Sequence, residues 1–284
     1  MQVISTKEEF RRLLEAERLA GRSVGLVPTM GALHAGHRSL IDAAGAECDV
    51  VALTIFVNPL QFAAGEDLSA YPRPIERDLE LAASAGVSVV FTPTTEEMYP
   101  VPTATTVHVA GLTTSMEGAA RPTHFDGVTT VVTKLFNLAG ACRAYFGEKD
   151  FQQLAVITRM AADLDQPVEV IACPILREAD GLALSSRNIY LSPEDRAAAV
   201  VLSRSLWRAE QLILGGERDA RAVTAALMAW VGEEARAELE YAQVVDAATL
   251  EPVDELRPGA VLRLIMTVRF GTTRLLDNLG VQVP

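Results

Sequence analysis

The 284-residue sequence has few aromatic residues, few cysteines and fewer basic than acidic side chains. Aromatic residues make up 6% of the chain, which argues against a surface on which nucleic-acid bases could stack. The 25 Lys and Arg residues are outnumbered by 37 Asp and Glu residues, so the formal net charge is −12. Because nucleic-acid phosphates would be repelled, we expect no nucleic-acid partner, although a local basic pocket for a small anion is still allowed.

Long apolar runs and cysteine motifs are also absent from the sequence. Cys48, Cys142 and Cys173 are odd in number and form no C-x-x-C motif, and their apolar sequence neighbours favour buried thiols. That pattern fits a reducing compartment. No segment resembles a signal peptide, and no apolar run approaches the roughly 20 residues of a membrane span. We therefore expect a soluble, cytoplasmic protein with no membrane partner.

What is present is an alternation of short apolar runs and amphipathic segments through residues 1–175. Ser5 and Thr6, followed by Glu8 and Glu9, predict a capped amino-terminal helix. Further helices are predicted at 36–46, 75–86, 127–140 and 150–164, and strands at 23–30, 49–58, 87–93, 142–147 and 168–174. Strands that alternate with such helices indicate βαβ units, so the sequence predicts an α/β fold with a doubly wound parallel sheet.

The pattern changes after Pro174, where helical segments come first and strands follow. Residues 192–216 predict one long amphipathic helix, with Ser192 as its cap and Pro193 at its first position. A second helix is followed by strand-like segments at 239–247, 260–271 and 273–283. This order predicts a smaller α+β domain at 176–284, after a first domain at 1–175.

The stretch VPTMGALHAGH, residues 27–37, holds two of the four histidines in the chain. Gly31 and Gly36 allow close approach of the backbone, and the stretch lies where a predicted strand passes into a helix. Ligands bind at that edge of an open α/β sheet, and imidazoles can donate hydrogen bonds to phosphate oxygens. We predict that His34 and His37 contact phosphate. The alternatives are histidines that only cap or pack, and a zinc pair that would need a third ligand such as Cys48.

Residues 145–154, YFGEKDFQQL, form a second predicted strand-to-helix turn. Lys149 could neutralise a phosphate, and Asp150 could hold a ribose or a metal. A plain capping turn around Asp150 fits the sequence equally well. Gln152 and Gln153 open the following helix, and one of its sides is expected to face the ligand.

Two further polar segments carry candidate site residues. In DGLALSSRNIYLSPEDR, residues 180–196, Ser185 and Ser186 supply neutral donors, and Arg187 supplies an anion clamp. We expect Leu182, Leu184 and Ile189 to embed this run among apolar groups, whereas the alternative is a surface turn. The other segment follows the second strand; its length predicts a lid, and it contains Asn58, Gln61, Tyr71 and Arg73.

Together, seven segments resemble the pantothenate synthetase family in order and spacing, over nearly the whole chain. They are PTMGALHAGH, FVNPLQF, YPR, RPTHF, FGEKDFQQL, DGLALSSRN and GTTRLLDN. The resemblance implies a Rossmann-like first domain of the H-I-G-H nucleotidylyltransferase superfamily, a smaller lid domain and a homodimer. It also implies ATP-dependent joining of pantoate and β-alanine through a pantoyl adenylate, with Mg²⁺ on the ATP phosphates. A nucleotidylyltransferase and a non-catalytic nucleotide-binding protein are the rival classes.

The resemblance also implies residue roles. Gln61 would contact pantoate and β-alanine, Gln153 would contact pantoate, and Asn58 belongs with these substrate-binding residues. The catalytic set is His34, His37, Lys149, Ser185, Ser186 and Arg187, with the second histidine as proton donor. The ATP-binding set is Met30, Gly31, Ala32, Leu33, His34, Ala35, Gly36, His37, Gly147, Glu148, Lys149, Asp150, Leu176, Leu184, Ser185, Ser186 and Arg187.

Three positions depart from the family pattern, and two more have a less defined role. Leu184 stands where methionine is usual, and both residues fill an apolar slot. Ala35 replaces a common glutamate at a peripheral position, and Asp126 lies where family members vary. Glu117 and Arg121 fall in the wall segment that lies near the dimer interface in the family.

Overall fold

The computed structural model describes residues 1–63, 68–69 and 71–284, and it divides into two compact units. The first unit consists of Met1–Glu148 and Gln152–Pro174. The second consists of Lys149–Phe151 and Ile175–Pro284. Residues 149–151 therefore group with the carboxyl-terminal part of the chain, although they are distant from it in sequence.

The first unit is built on a six-stranded parallel sheet. Its strands are β1 (Gln2–Ile4), β2 (Val24–Thr29), β3 (Val50–Ile55), β4 (Val89–Phe91), β5 (Cys142–Gly147) and β6 (Val168–Cys173). Its helices are α1 (Lys7–Leu19), α2 (Ala35–Glu47), α3 (Ile75–Ser84), α4 (Thr95–Met98), α5 (Glu117–Ala120), α6 (His124–Ala139) and, from its second residue onward, α7 (Phe151–Asp163). The predicted α/β fold with a parallel sheet is confirmed.

Strand order fixes where a ligand site can form in this unit. The order is β1-β4-β3-β2-β5-β6, so the chain runs from β2 outward to β4 on one side and then places β5 and β6 on the other. The switch point lies between β2 and β5. Because ligands of open α/β sheets bind beyond the carboxyl ends of the strands at such a point, the segments that follow Thr29 and Gly147 are the expected site.

The edge strand β1 is absent from the sequence predictions. It has three residues, and it pairs with β4 through contacts such as Val3 with Val90. Three residues are too few to show an alternating pattern, and Val3 is exposed on one side of the sheet edge. Thr6, in contrast, caps α1 as predicted, since its side chain accepts a hydrogen bond from the Glu9 amide.

The second unit has a three-stranded antiparallel sheet in the order β7-β8-β9. Its strands are β7 (Ala237–Asp246), β8 (Val261–Phe270) and β9 (Thr273–Gln282), and its helices are α8 (Pro193–Ala198), α9 (Val201–Leu214) and α10 (Ala220–Gly232). Alternate residues of β8, such as Leu264 and Met266, share one buried cluster with Leu206 of α9 and Leu227 of α10. The antiparallel sheet with helices matches the predicted α+β class.

The prediction of one continuous helix over 192–216 was wrong. Ser192 caps a helix whose first residue is Pro193, as expected, but that helix ends at Ala198. The Leu202 amide donates to the carbonyl oxygen of Ala199, three residues earlier, so the chain tightens into a turn before α9 begins. An amphipathic pattern does not distinguish such a junction from a continuous helix.

The cysteines are unpaired, and two of them are buried. Cys48 and Cys173 are buried and Cys142 is partly buried. Burial raises the pKa of the Cys142 thiol to about 12 and raises that of Cys173 as well. Within residues 1–63, 68–69 and 71–284, no helix combines the length and apolar character needed to cross a membrane.

Candidate active site

The histidine turn, residues 29–37, connects β2 to α2 at the switch point of the sheet. Gly31 has a φ of +84°, a left-handed conformation that favours glycine. A Cβ atom at Gly31 would lie 3.0 Å from both Asp78 Oδ2 and Ile55 Cγ2. Both the backbone conformation and the close neighbours therefore favour glycine at this position.

The two imidazoles of the turn are brought together and oriented by backbone hydrogen bonds. His34 Nδ1 accepts from the Gly36 amide at 3.1 Å, and His37 Nδ1 accepts from the His34 amide at 3.3 Å. The ring centroids are 4.2 Å apart. Because each Nδ1 is an acceptor, each neutral ring carries its proton on Nε2, which makes Nε2 a hydrogen-bond donor.

The alternative of a zinc site at this turn conflicts with the position of Cys48. Cys48 follows the last residue of α2, and His34 precedes the first. A helix of 13 residues places them about 20 Å apart along its axis, far beyond a shared metal. In the described residues, no group of three or more His, Cys, Asp or Glu side chains is placed to hold a metal ion.

Sequence reasoning missed Asp78, the residue that holds the turn from beneath. Asp78 lies on α3 and is 1% exposed; its Oδ2 accepts from the Ala32 amide at 2.8 Å and its Oδ1 from the Leu33 amide at 2.7 Å. Burial raises the pKa of this carboxyl, although the two hydrogen bonds oppose the shift. In the segment IERDLEL, nothing in the sequence distinguishes Asp78 from Glu76 and Glu80. The structure separates them, because Glu76 and Glu80 are exposed.

A second group of predicted residues meets after β3. Asn58 is 1% exposed; its Nδ2 donates to Gln61 Oε1 and to the Gly127 carbonyl oxygen, each at 3.1 Å, and its Oδ1 accepts from the Tyr99 hydroxyl at 2.8 Å. Gln61 Nε2 lies 3.0 Å from Met30 Sδ. The Gln61 amide is therefore held in one orientation, and Asn58 uses its own amide to hold it.

The backbone of this group is fixed by the start of α6, another feature missed from sequence. The carbonyl oxygen of Gln61 accepts from His124 Nδ1 at 3.0 Å and from Arg121 Nη2 at 3.3 Å. A Cβ atom at Gly127 would lie 2.3 Å from the carbonyl oxygen of Leu60. Glycine at this position allows the close approach of the two backbones. The sequence HFDGV alone does not show this contact, because Leu60 is distant in the chain.

The paired glutamines at the start of α7 differ in what they can do. Gln152 is buried: its Oε1 accepts from the Glu117 amide at 3.0 Å, and its Nε2 donates to the carbonyl oxygens of Leu112 and Ser115. Gln152 therefore holds the wall segment that contains Glu117. Gln153, which is only partly buried, stays a prediction for substrate contact.

In the second unit, Lys149 is fixed by its backbone. Its carbonyl oxygen accepts from Asn278 Nδ2 at 2.8 Å, and its Nζ lies 3.8 Å from the Asp150 carboxylate. The Arg263 guanidinium stacks 3.8 Å from the centroid of the Phe151 ring. These contacts give the GTTRLLDN motif a structural role, since Asn278 is its last residue.

The segment before Ser185 is a small folded unit held by ion pairs. Arg177 donates to both carboxylate oxygens of the buried Asp277, at 2.7 and 2.9 Å. The Leu184 amide donates to the Leu176 carbonyl oxygen at 3.0 Å, so these two predicted ATP-binding residues lie side by side. The GTTRLLDN motif thus contributes Asp277 here and Asn278 at Lys149.

Ser186 and Arg187 lie on a short 3₁₀ helix over Ser186–Tyr190, and Ser185 precedes it. Ser185 Oγ accepts from the Arg187 amide at 3.2 Å and caps this helix. All three residues are partly buried. The expectation that Ile189 embeds them was wrong, because Ile189 is 70% exposed.

The predicted lid, residues 61–73, is only partly described. Residues 64–67 and 70 lie outside the described residues. In the described part, Tyr71 is buried, and Arg73 donates to the carbonyl oxygens of Leu68 and Tyr71 at 3.0 and 3.1 Å. Closure of this segment stays a prediction.

The parallel sheet, its switch point and the paired imidazoles define the class as an α/β enzyme of the doubly wound type. Residues 2–280 match the sequence model of the family described as Pantoate-beta-alanine ligase. The chain therefore belongs to the pantoate–β-alanine ligase family, and this confirms the predicted family and enzyme class. Membership makes it a carbon–nitrogen ligase rather than a nucleotidylyltransferase or a non-catalytic binding protein.

Similar proteins are named pantothenate synthetase or pantoate–β-alanine ligase, and the match covers nearly all of each. The chain is 51% identical to the pantothenate synthetase of Acetivibrio thermocellus, with 100% of both chains covered. The crystal structure of pantothenate synthetase from Thermus thermophilus superposes with a TM-score of 0.93 at 47% identity, covering 99% of this chain and 100% of that one. The pantoate–β-alanine ligase of Francisella tularensis, solved with β-γ ATP and β-alanine, has a TM-score of 0.80 at 31% identity, covering 98% of this chain and 97% of that one.

Proposed function

We propose that the chain joins pantoate to β-alanine with the imidazoles of His34 and His37 on the phosphates of ATP. The observation that carries this proposal is the pair of backbone hydrogen bonds to Nδ1, which leaves Nε2 of each neutral ring as a donor. Two oriented donors at the carboxyl end of a central strand suit the charge that develops on phosphate during displacement.

The chemistry proceeds through an acyl adenylate. A carboxylate oxygen of pantoate forms a bond to the α-phosphorus of ATP, the bond to the β-phosphate oxygen breaks, and pyrophosphate leaves. The amine of β-alanine then forms a C–N bond to the acyl carbon and loses a proton. The C–O bond breaks, and AMP leaves with the oxygen that came from pantoate. No covalent bond to the enzyme is needed, because activation resides in the adenylate.

We propose that Gln61 binds both acyl substrates and that Gln153 binds pantoate. The fixed orientation of the Gln61 amide supports this role: Oε1 accepts from Asn58 and Nε2 is directed toward Met30, and each atom can make a second hydrogen bond. Asn58 then acts on the substrates through Gln61. The Francisella tularensis ligase, solved with β-alanine, indicates that a relative binds this substrate.

We propose that Lys149 and the run Leu184–Arg187 cover the triphosphate of ATP, and that Leu176 contacts the adenine. The hydrogen bond from the Leu184 amide to the Leu176 carbonyl oxygen supports the assignment of both residues to one nucleotide. The remaining predicted ATP-binding residues are Met30–His37 and Gly147–Asp150. ATP is proposed to enter as its Mg²⁺ complex, with the metal held mainly by the phosphates.

The wider assignments are also proposals. Residues 1–175 are proposed to bind ATP and pantoate, residues 176–284 to act as a lid domain, and the segment Gln61–Arg73 to exclude water from the hydrolysable adenylate. The three unpaired cysteines fit a reducing compartment, so we propose the cytoplasm. We propose a homodimer from the family resemblance, and light scattering on the purified chain measures the mass directly.

Isotope exchange tests the function. The chain is incubated with ATP, Mg²⁺ and labelled pyrophosphate, with and without pantoate, and β-alanine is left out. Label that enters ATP only in the presence of pantoate supports adenylate formation, and adding β-alanine should then give pantothenate. Exchange without pantoate would indicate a different acceptor, and no exchange together with no pantothenate would contradict the proposal.

A further inference from the structure

We propose that Asp78 is a positioning residue that holds the histidine turn in its working conformation through the amides of Ala32 and Leu33. The proposal rests on the proposed phosphate role of His34 and His37. Asp78 lies on α3, remote in sequence from the turn, and its two carboxylate oxygens each accept one of these amides.

The backbone donors of the turn are already used within the protein. The Gly31 amide donates to Thr29 Oγ1 at 3.2 Å, the next two amides donate to Asp78, and the His34 amide donates to His37 Nδ1. In a phosphate-binding loop of the P-loop type, such amides face the ligand. Here four successive amides have protein acceptors, so the turn offers its imidazoles to the ligand in place of its backbone.

The conformation that Asp78 holds is one that the chain would not adopt readily without it. Gly31 and Ala32 have φ values of +84° and +51°, and the second of these is uncommon for a residue with a side chain. An ionised carboxylate is the acceptor that can take both amides, since it has two acceptor oxygens and no donor. Asparagine in the same position would face one of the two amides with its own NH₂ group.

Burial of this carboxylate is difficult to explain by packing alone. Asp78 is 1% exposed, and burial of a charged group is unfavourable unless the group is paired and hydrogen-bonded. The neighbouring acids Glu76 and Glu80 on the same helix are exposed. Since α3 can present its charges to water, the inward position of Asp78 points to a role at the turn.

Asp78→Asn tests the proposal, with Glu80→Gln as the matched control on the same helix. In Asp78→Asn, the kcat of pantoate-dependent exchange should fall on the order of 10²-fold, because misplaced groups lose alignment with the reacting atoms. The KM for pantoate should change less than threefold. Glu80→Gln should match the wild type in both quantities.

Nitrogen NMR of the imidazoles separates a positioning role from a general loss of stability. The chain has four histidines, so His34→Ala and His37→Ala spectra assign the two site rings. Their Nδ1 and Nε2 signals should show the Nε2–H form in the wild type and change in Asp78→Asn, while those of His108 and His124 stay in place. Unchanged site signals together with exchange within twofold of wild type would overturn the proposal.

A measurement on the wild-type chain covers the case in which Asp78→Asn does not fold. The amide proton signals of Ala32 and Leu33 should titrate together with the Asp78 carboxyl carbon, and amides that ignore this titration would contradict the proposal. The two hypotheses are distinguishable: a wild type without pantoate-dependent exchange refutes the proposed function, whereas the imidazole and amide spectra still decide the role of Asp78.

Discussion

The histidine turn and the serine–arginine segment, residues 184–188, are both proposed to act on the triphosphate, yet they are built differently. In the turn, a buried carboxylate and neighbouring side chains accept four successive amides, so geometry is set at the backbone. The serine–arginine segment leads into a short 3₁₀ helix that begins at Ser186, and it follows a single antiparallel bridge between Arg177 and Ala183, where Arg177 also pairs with Asp277. The comparison indicates that the histidine turn contributes hydrogen-bond donors of fixed orientation, whereas the serine–arginine segment contributes mainly the positive charge of Arg187.

The largest effect on the exchange rate is expected in the histidine turn. His37→Ala should reduce the rate of pantoate-dependent exchange by about 10²–10³-fold, since one preorganised donor at a developing charge is worth that much. Thermal melting should stay near that of the wild type. His108→Ala is the matched control, because His108 is an exposed histidine paired with Asp126. A His37→Ala rate close to wild type would refute the assigned role.

The next effect concerns stability, and it tests the Arg177–Asp277 ion pair next to the serine–arginine segment. Asp277→Ala removes one partner of a buried ion pair and leaves the Arg177 charge without its carboxylate. The free energy of unfolding, measured by urea titration, should fall by about 3 kcal/mol. Asp254→Ala breaks the exposed pair with Arg221 and should change it by less than about 0.5 kcal/mol. Equal effects of the two variants would contradict the account.

A smaller effect on activity is expected in the serine–arginine segment, where Arg187 supplies positive charge. Arg187→Ala should lower kcat/KM for ATP by about 10–10²-fold, the range for a hydrogen bond to a charged group. Arg187→Lys should recover part of the loss, because it keeps the charge without the planar fork. The exposed Arg257, which pairs with Glu255, gives the control variant Arg257→Ala. Failure of lysine to recover any activity would show that geometry decides in this region too.

The smallest effect is expected from thiol modification, because neither region uses a cysteine. Burial raises the pKa of Cys142 to about 12 and raises that of Cys173, so both thiols stay protonated at pH 8 and react slowly with iodoacetamide. Native protein should keep its exchange activity after such treatment, and denatured protein should take up three equivalents. Rapid inactivation in step with labelling would contradict the account.

The sequence predicted features that depend on local pattern. The strand at 142–147 was predicted with its observed bounds, since its apolar run lies between turn signals, and His34 and His37 were predicted where a strand passes into a helix. Asp78 was missed because its role depends on α3 packing against a turn whose Ala32 lies 46 residues earlier in the sequence. Gly127 was missed for the same reason, since its close approach to Leu60 exists only in the folded chain.

The central claim, activation of a carboxylate by adenylation, is tested most directly by following the oxygen atoms. Pantoate labelled with ¹⁸O in both carboxylate oxygens is incubated with the chain, ATP, Mg²⁺ and β-alanine, and the products are analysed by mass spectrometry. The account predicts one ¹⁸O atom in AMP and one in the amide carbonyl of pantothenate. AMP without ¹⁸O, or label in pyrophosphate or inorganic phosphate, would contradict it.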